Sequence, residues 1–214
     1  MRTLIIGATG LVGSELVGLL ANDPRFTSVT VLSRRPIGGF EGHPTVRNVV
    51  KDFDALTGDE DIYDVDVVFC AMGTTIKTAG SKEVYRRIDH TYPMKVATFA
   101  RAKGARHWVI VSSGGISENS RFFYIQVKAD LERDLRALNF PQLTILRPSL
   151  ILGDRREFRL GERIGMVLMQ LFNFAIPKAY KAVQARAIAA TMIRVANDGT
   201  TMQYRSIEND AISE

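Results

Sequence analysis

Tyr124 and Lys128 stand four residues apart in a stretch, Ser120–Leu138, whose pattern predicts a helix. Both side chains therefore project from one face of it. A phenol with an unperturbed pKa near about 10 is a poor base at neutral pH. An ammonium beside it favours the phenolate and lowers that pKa. Upstream, Ser112-Ser113-Gly114-Gly115 closes a predicted strand, and Ser112 lies 12 positions before Tyr124. A serine hydroxyl there can orient a carbonyl while the tyrosine exchanges a proton with its oxygen. Either Ser112 or Ser113 could point into such a site. By itself, a Tyr-x-x-x-Lys pair equally describes an exposed helical face.

The chemistry needs a redox partner, and the start of the chain offers one. An apolar strand, Thr3–Ile6, runs directly into Gly7-Ala8-Thr9-Gly10-Leu11-Val12-Gly13. Glycines at this spacing turn a strand sharply into a helix and let its first amides close on a pyrophosphate. A P-loop is excluded, because Gly13-Ser14 lacks the required lysine. After the second strand come Ser33, Arg34 and Arg35, where an NAD site would carry an acid for the adenosine ribose. Guanidinium donors instead suit a 2′-phosphate, so NADP(H) is expected; two solvated loop arginines are the alternative.

Two further strand ends belong to the same argument. Asp52 and Phe53 follow the third strand and would flank the adenine, though Phe53 equally suits the core. Ala71, Met72, Gly73, Thr74 and Thr75 follow the fourth, where small residues allow close backbone approach and threonines offer hydroxyls. A plain turn is the competing reading. Cys70, the only cysteine, reads as a small buried hydrophobe rather than a nucleophile.

The elements that must position these groups alternate along the chain. Strands are predicted at Thr3–Ile6, Ser28–Ser33, Val46–Val50, Val65–Ala71, His107–Val111 and Leu143–Leu146. Helices are predicted at Leu11–Ala21, Lys82–Lys103 with a break near Pro93, Ser120–Leu138 and Val183–Ala196. Continuously apolar strands separated by helices imply an α/β fold, a doubly wound parallel sheet with ligands beyond the strands' carboxyl ends. One domain over residues 1–214 is expected, with a small C-terminal cap at about 153–185 shaping the substrate side.

Composition agrees with that picture and excludes others. Hydrophobic residues make up 46% and charged residues 24%, an ordinary globular balance. The net charge of +5 comes from scattered arginines without the basic run of a nucleic-acid binder. A lone cysteine allows neither an internal disulfide nor a cysteine metal site, and no metal is expected. No signal peptide is visible, and the most apolar stretch, Ile164–Pro177, falls short of a spanning helix. That stretch suits a buried helix or a homodimer contact, and a cytoplasmic location is expected.

Taken together, the glycine turn, Ser112/Ser113, Tyr124-Ile125-Gln126-Val127-Lys128 and Arg147-Pro148-Ser149 resemble the short-chain dehydrogenase/reductase superfamily. Cys70–Thr75, Asp89-His90-Thr91-Tyr92 and Arg147–Arg155 resemble more narrowly an atypical branch of it. The branch holds the HIV Tat-interacting protein 2 and small bacterial proteins of similar length. The resemblance runs from Met1 to about Val195 and implies a Rossmann-like fold with bound NADP(H). By that likeness the turn from Gly7 to Gly13 holds the pyrophosphate, and Arg34 and Arg35 hold the adenosine phosphate. Tyr124 and Lys128 flank the nicotinamide ribose, and Pro148, Ser149, Leu150 and Ile151 close over the nicotinamide. The implied activity is hydride transfer to or from a small carbonyl or alcohol. The branch's regulatory members imply an alternative, a catalytically silent NADP(H) sensor that binds a protein partner.

Overall fold

A computed structural model describes residues 1–153 and 181–213. Seven strands form one sheet: β1 (Arg2–Ile6), β2 (Ser28–Ser33), β3 (Val46–Val50), β4 (Val67–Cys70), β5 (His107–Val111), β6 (Gln142–Arg147) and β9 (Tyr204–Glu208). Their order is β3-β2-β1-β4-β5-β6-β9, and every neighbouring pair is parallel. The order reverses on either side of β1, so β1 and β4 flank the point where opposite-running connections part. A separate two-residue pair joins β7 (Ile151–Leu152) to β8 (Val183–Gln184).

Alternation along the strands builds a core on each face. Leu4 and Ile6 enter one apolar cluster with Val96, Ala100, Leu131 and Leu135. These come from α4 (Tyr92–Ala102) and α5 (Phe123–Ala137). Ile5 points the other way, into a cluster with Leu16, Val17, Ile188 and Met192. Those belong to α1 (Leu11–Ala21) and α6 (Ala185–Asn197). Each such side chain, fully withdrawn from water, contributes about 1.5–3 kcal/mol. Two covered faces explain why the strands carry runs such as Val67-Val68-Phe69-Cys70 instead of alternating with polar residues.

Two elements depart from the sequence-based expectation. The helical run after β4 is not broken at Pro93. Following the short α2 (Ile76–Ala79), it passes from α3 (Lys82–Arg86) through a π-turn, Arg87–Thr91, into α4. A proline has no N–H for the usual helical bond and crowds the preceding turn, which a locally widened helix accommodates. The turn has a consequence for the site, since it carries Asp89 inward. The second departure is β9, which the strand pattern missed. In its Tyr-Arg-Ser-Ile-Glu sequence the first four residues are half-buried and Glu208 is exposed, because the strand is the sheet's edge. The proposed cap at 153–185 and the apolar stretch Ile164–Pro177 lie largely outside the described residues. Among the described residues no helix is long and apolar enough to cross a membrane.

Candidate functional site

The glycine turn divides its work between packing and opening. Gly7 adopts φ +88°, and a Cβ there would run into the Ala71–Met72 backbone. A Cβ on Gly13 would strike the Gly7 carbonyl, so this glycine brings α1 against the end of β1. Gly10 is different, since its nearest neighbours would be the oxygens of Gly7 at 3.4 Å and Ala71 at 4.0 Å. Its N–H donates to Gly7 O at 3.0 Å, and it forms the N-terminal boundary of α1. No side chain caps that end and no acid sits in the first turn. The positive end of the helix is thus presented beside two cavities that Gly10 lines.

These cavities share a wall, formed by Thr9, Gly10, Arg35 and Ala71–Thr74, and together run over the strands' carboxyl ends. The smaller, about 260 Å³, is bounded by Gly7, Ala8, Ser33, Arg34 and Phe53. Arg34 and Arg35 are exposed, and neither meets a carboxylate among the described residues. Ser33 is buried, its hydroxyl donating to Arg35 O at 2.7 Å. Asn48 locks this loop, with Nδ2 donating to Ser33 Oγ (2.9 Å) and Val31 O (3.1 Å) and Oδ1 accepting from Ile37 N (3.0 Å). Phe53 lines this cavity and is at the same time a core residue, buried and packed on Tyr92 at 5.2 Å. Asp52 is absent from both linings, and its carboxylate accepts from Asp54 N at 3.0 Å.

The larger cavity, about 780 Å³, carries Leu11, Val12, Asp89, Ser112, Lys128 and Ile151 in its wall. Here α5 sets the arrangement, because Tyr124, Lys128 and Glu132 follow one another at four-residue spacing on a single face. Tyr124, by contrast, lines neither cavity: it is 44% exposed, with its ring 6.4 Å from that of Phe122. Lys128 is 8% exposed and its Nζ lies 2.9 Å from Asp89 Oδ1. Asp89 Oδ2 accepts from the Thr74 amide at 2.8 Å, tying the end of β4 to the π-turn. Beneath them Cys70 is fully buried, and burial pushes its thiol up to about 12, which makes it an inert packing group.

The two serines diverge. Ser112 Oγ donates to Glu132 Oε1 at 2.6 Å, and Glu132 is in turn paired with Arg147 at 2.5 Å. Among the described residues Ser113 makes only a long contact, 3.3 Å, to Gly114 O. Pro148 is buried and its carbonyl receives the Gly114 amide at 2.8 Å, while Leu150 is exposed. Of the four residues from Pro148 to Ile151, only Ile151 reaches the large cavity. Sequence reasoning missed the roles of Glu132 and Asp89. One signal was present for Glu132, a carboxylate in the same buried register as Leu131 and Leu135. Asp89 gave no periodic signal, because its inward position depends on the π-turn.

A seven-stranded parallel sheet with a glycine turn at its switch point and cavities along its carboxyl edge defines an NAD(P)-binding Rossmann protein of the dehydrogenase/reductase type. Comparison with known proteins agrees. The family profile of the semialdehyde dehydrogenase NAD-binding domain matches residues 2–109. "Protein FMP52, mitochondrial" of Meyerozyma guilliermondii is 35% identical over 90% of this chain and 86% of its own. Protein HTATIP2 of Rattus norvegicus is 31% identical over 97% of this chain and 86% of its own. The chain belongs to the atypical short-chain dehydrogenase/reductase family that holds these proteins. Among solved structures, a UDP-glucuronic acid 4-epimerase from Bacillus cereus, in complex with UDP-glucuronic acid and NAD, superposes with a TM-score of 0.77. It is 15% identical and covers 98% of this chain and 77% of that one, a likeness of fold.

The relatives correct one expectation. Several FMP52 proteins are named mitochondrial, which overturns the inference of a purely cytoplasmic location. That inference rested on a lone cysteine and the absence of a visible leader. A lone cysteine reports the lack of internal disulfides and does not distinguish one reducing compartment from another.

Proposed function

We propose that this protein is an NADP(H)-dependent oxidoreductase acting on a small carbonyl or alcohol. The observation that carries the reading is that Lys128, Ser112 and the glycine turn line one continuous cavity. The residues suit a dinucleotide: Gly10 leaves room where a pyrophosphate would meet the α1 amides, and Arg34 and Arg35 are exposed donors lining the adenosine end. The bound nicotinamide would supply or accept the hydride. This chain's residues do the rest. Lys128 binds the ribose hydroxyls, Tyr124 exchanges a proton with the substrate oxygen, and Ser113 or Ser112 steadies that oxygen. Gly7–Gly13, Ser33–Arg35, Phe53 and Ala71–Thr74 cradle the cofactor, with Asp52 near the adenine and Pro148–Ile151 beside the nicotinamide.

Hydride transfer across a panel of aldehydes, ketones and quinones tests the activity, followed as NADPH absorbance. Tyr124→Phe should lower turnover by at least about a hundredfold, the scale of one acid–base group. Unchanged turnover in that variant removes the role assigned to Tyr124.

A second reading is favoured by one contact. The Ser112 proton is committed to Glu132, which leaves that hydroxyl without a donor for a carbonyl. In a catalytically silent protein the same groups would hold NADP(H) and couple its occupancy to binding of a protein partner. Affinity capture with and without NADPH separates the readings, and partner binding indifferent to the nucleotide removes the second.

A further inference from the structure

Asp89 is 1% exposed, yet it borders the large cavity. One oxygen is satisfied by the Thr74 amide. The other, Oδ1, lies 2.9 Å from Lys128 Nζ, an ion pair at contact distance. A buried carboxylate is costly unless a charge compensates it. Here the compensation is mutual, since Lys128 is itself only 8% exposed. The surroundings show the same charge. Tyr85, packed against this spot, has its phenol pushed up by burial first and then by Asp89. A Cβ on Gly73 would come within 3.5 Å of Asp89 Oδ1 and 3.7 Å of Lys128 Nζ, so the pair lies directly under the β4 end.

We propose that Asp89 is a positioning residue that pins the Lys128 ammonium and cancels its charge where the nicotinamide end of the dinucleotide would lie. The inference rests on the cofactor reading above. Its consequence concerns the oxidation state of the cofactor. The oxidised ring carries a positive charge that the reduced ring lacks, so an uncompensated ammonium nearby disfavours the oxidised form alone. With Asp89 in place the floor of the site is neutral, and both forms are held.

The test is binding rather than turnover. Affinities for NADP⁺ and NADPH are measured by calorimetry on the parent, Asp89→Asn, Lys128→Met and the double variant. Asp89→Asn keeps the acceptor for Thr74 and removes only the charge. It should weaken NADP⁺ relative to NADPH by about fivefold, the scale of one charge acting over several ångströms in a partly solvated cleft. Lys128→Met should move the ratio the other way, and the double variant should return it to that of the parent. Equal losses for both forms in Asp89→Asn and in Lys128→Met assign Asp89 a merely structural part and overturn the proposal alone. If Asp89→Asn does not fold, the Lys128→Met ratio decides by itself. Failure of the parent to bind either form overturns the cofactor reading and the proposal with it.

Discussion

Ser112 and Glu132 are joined by a 2.6 Å hydrogen bond that ties the end of β5 to the middle of α5. Glu132 is buried and paired as well with Arg147 on β6, which also reaches Glu208 on β9 at 3.0 Å. The Glu132 carboxylate thus fastens β5 and β6 to α5, and Arg147 carries the link on to β9. Removing one partner of a buried ion pair leaves the other charge uncompensated.

Glu132→Gln should therefore destabilise the fold by about 3 kcal/mol, whereas Ser112→Ala should cost about 1 kcal/mol. Urea unfolding of both single variants and the double variant would expose their coupling, expected near about 1 kcal/mol. Strict additivity would show that the contact contributes no coupling energy.

The glycine turn makes a discriminating pair of predictions. Gly13→Ala places a methyl against the Gly7 carbonyl and should destabilise by about 3 kcal/mol or more, because the obstacle is backbone. Gly10→Ala meets nothing closer than 3.4 Å. It should stay within about 1 kcal/mol of the parent and yet weaken dinucleotide binding, since its methyl enters the space between the helix amides and a pyrophosphate. Thermal melts and calorimetric titrations on the same two variants would check both halves.

These contrasts mark what could be read in the sequence. The six strands with apolar runs and the helices between them were legible because two covered faces demand continuous hydrophobicity and periodic helix faces. The edge strand β9 was not, because none of its residues is fully buried and its pairing with β6 is decided by tertiary packing. Of the expected site residues, Gly7–Val12, Arg34, Arg35 and Lys128 do line the two cavities, whereas Tyr124, read from its spacing to Lys128 together with the glycine turn and the serines, does not. Spacing could not separate Ser112 from Ser113, because that choice depends on a carboxylate 20 residues downstream of Ser112. Nor could it turn Asp89 inward, which required the π-turn ahead of Pro93.

The adenosine end should be selective for the 2′-phosphate. Arg34→Glu or Arg35→Glu is expected to cut NADPH affinity at least about tenfold while leaving NADH within about threefold, reversing or erasing the preference. Asn48 supplies an independent handle, since it fixes the Ser33–Ile37 loop without lining either cavity. Asn48→Ala should weaken NADPH more than NADH by loosening the loop that carries both arginines. Equal affinity of the parent for the two nucleotides would count against the assignment.

Acid sensitivity should trace to a histidine far from the site. His107 begins β5, is buried, and its Nε2 lies 2.9 Å from Thr144 Oγ1, which also accepts from Arg205 Nε at 3.0 Å. Burial first, and Arg205 second, lower its pKa to about 4. The unfolded chain has an ordinary imidazole that protonates near about 6.5, so below that pH the unfolded state binds a proton the folded state refuses. Stability conferred by the neutral ring is therefore intact above about 6.5 and declines as pH falls toward about 4, by up to about 3 kcal/mol. Urea midpoints between pH 7 and pH 4 should slope downward in the parent. Replacement by a side chain that cannot protonate, His107→Gln, should lower stability at pH 7 and flatten that slope. An equally steep slope in His107→Gln would move the acid sensitivity to other groups.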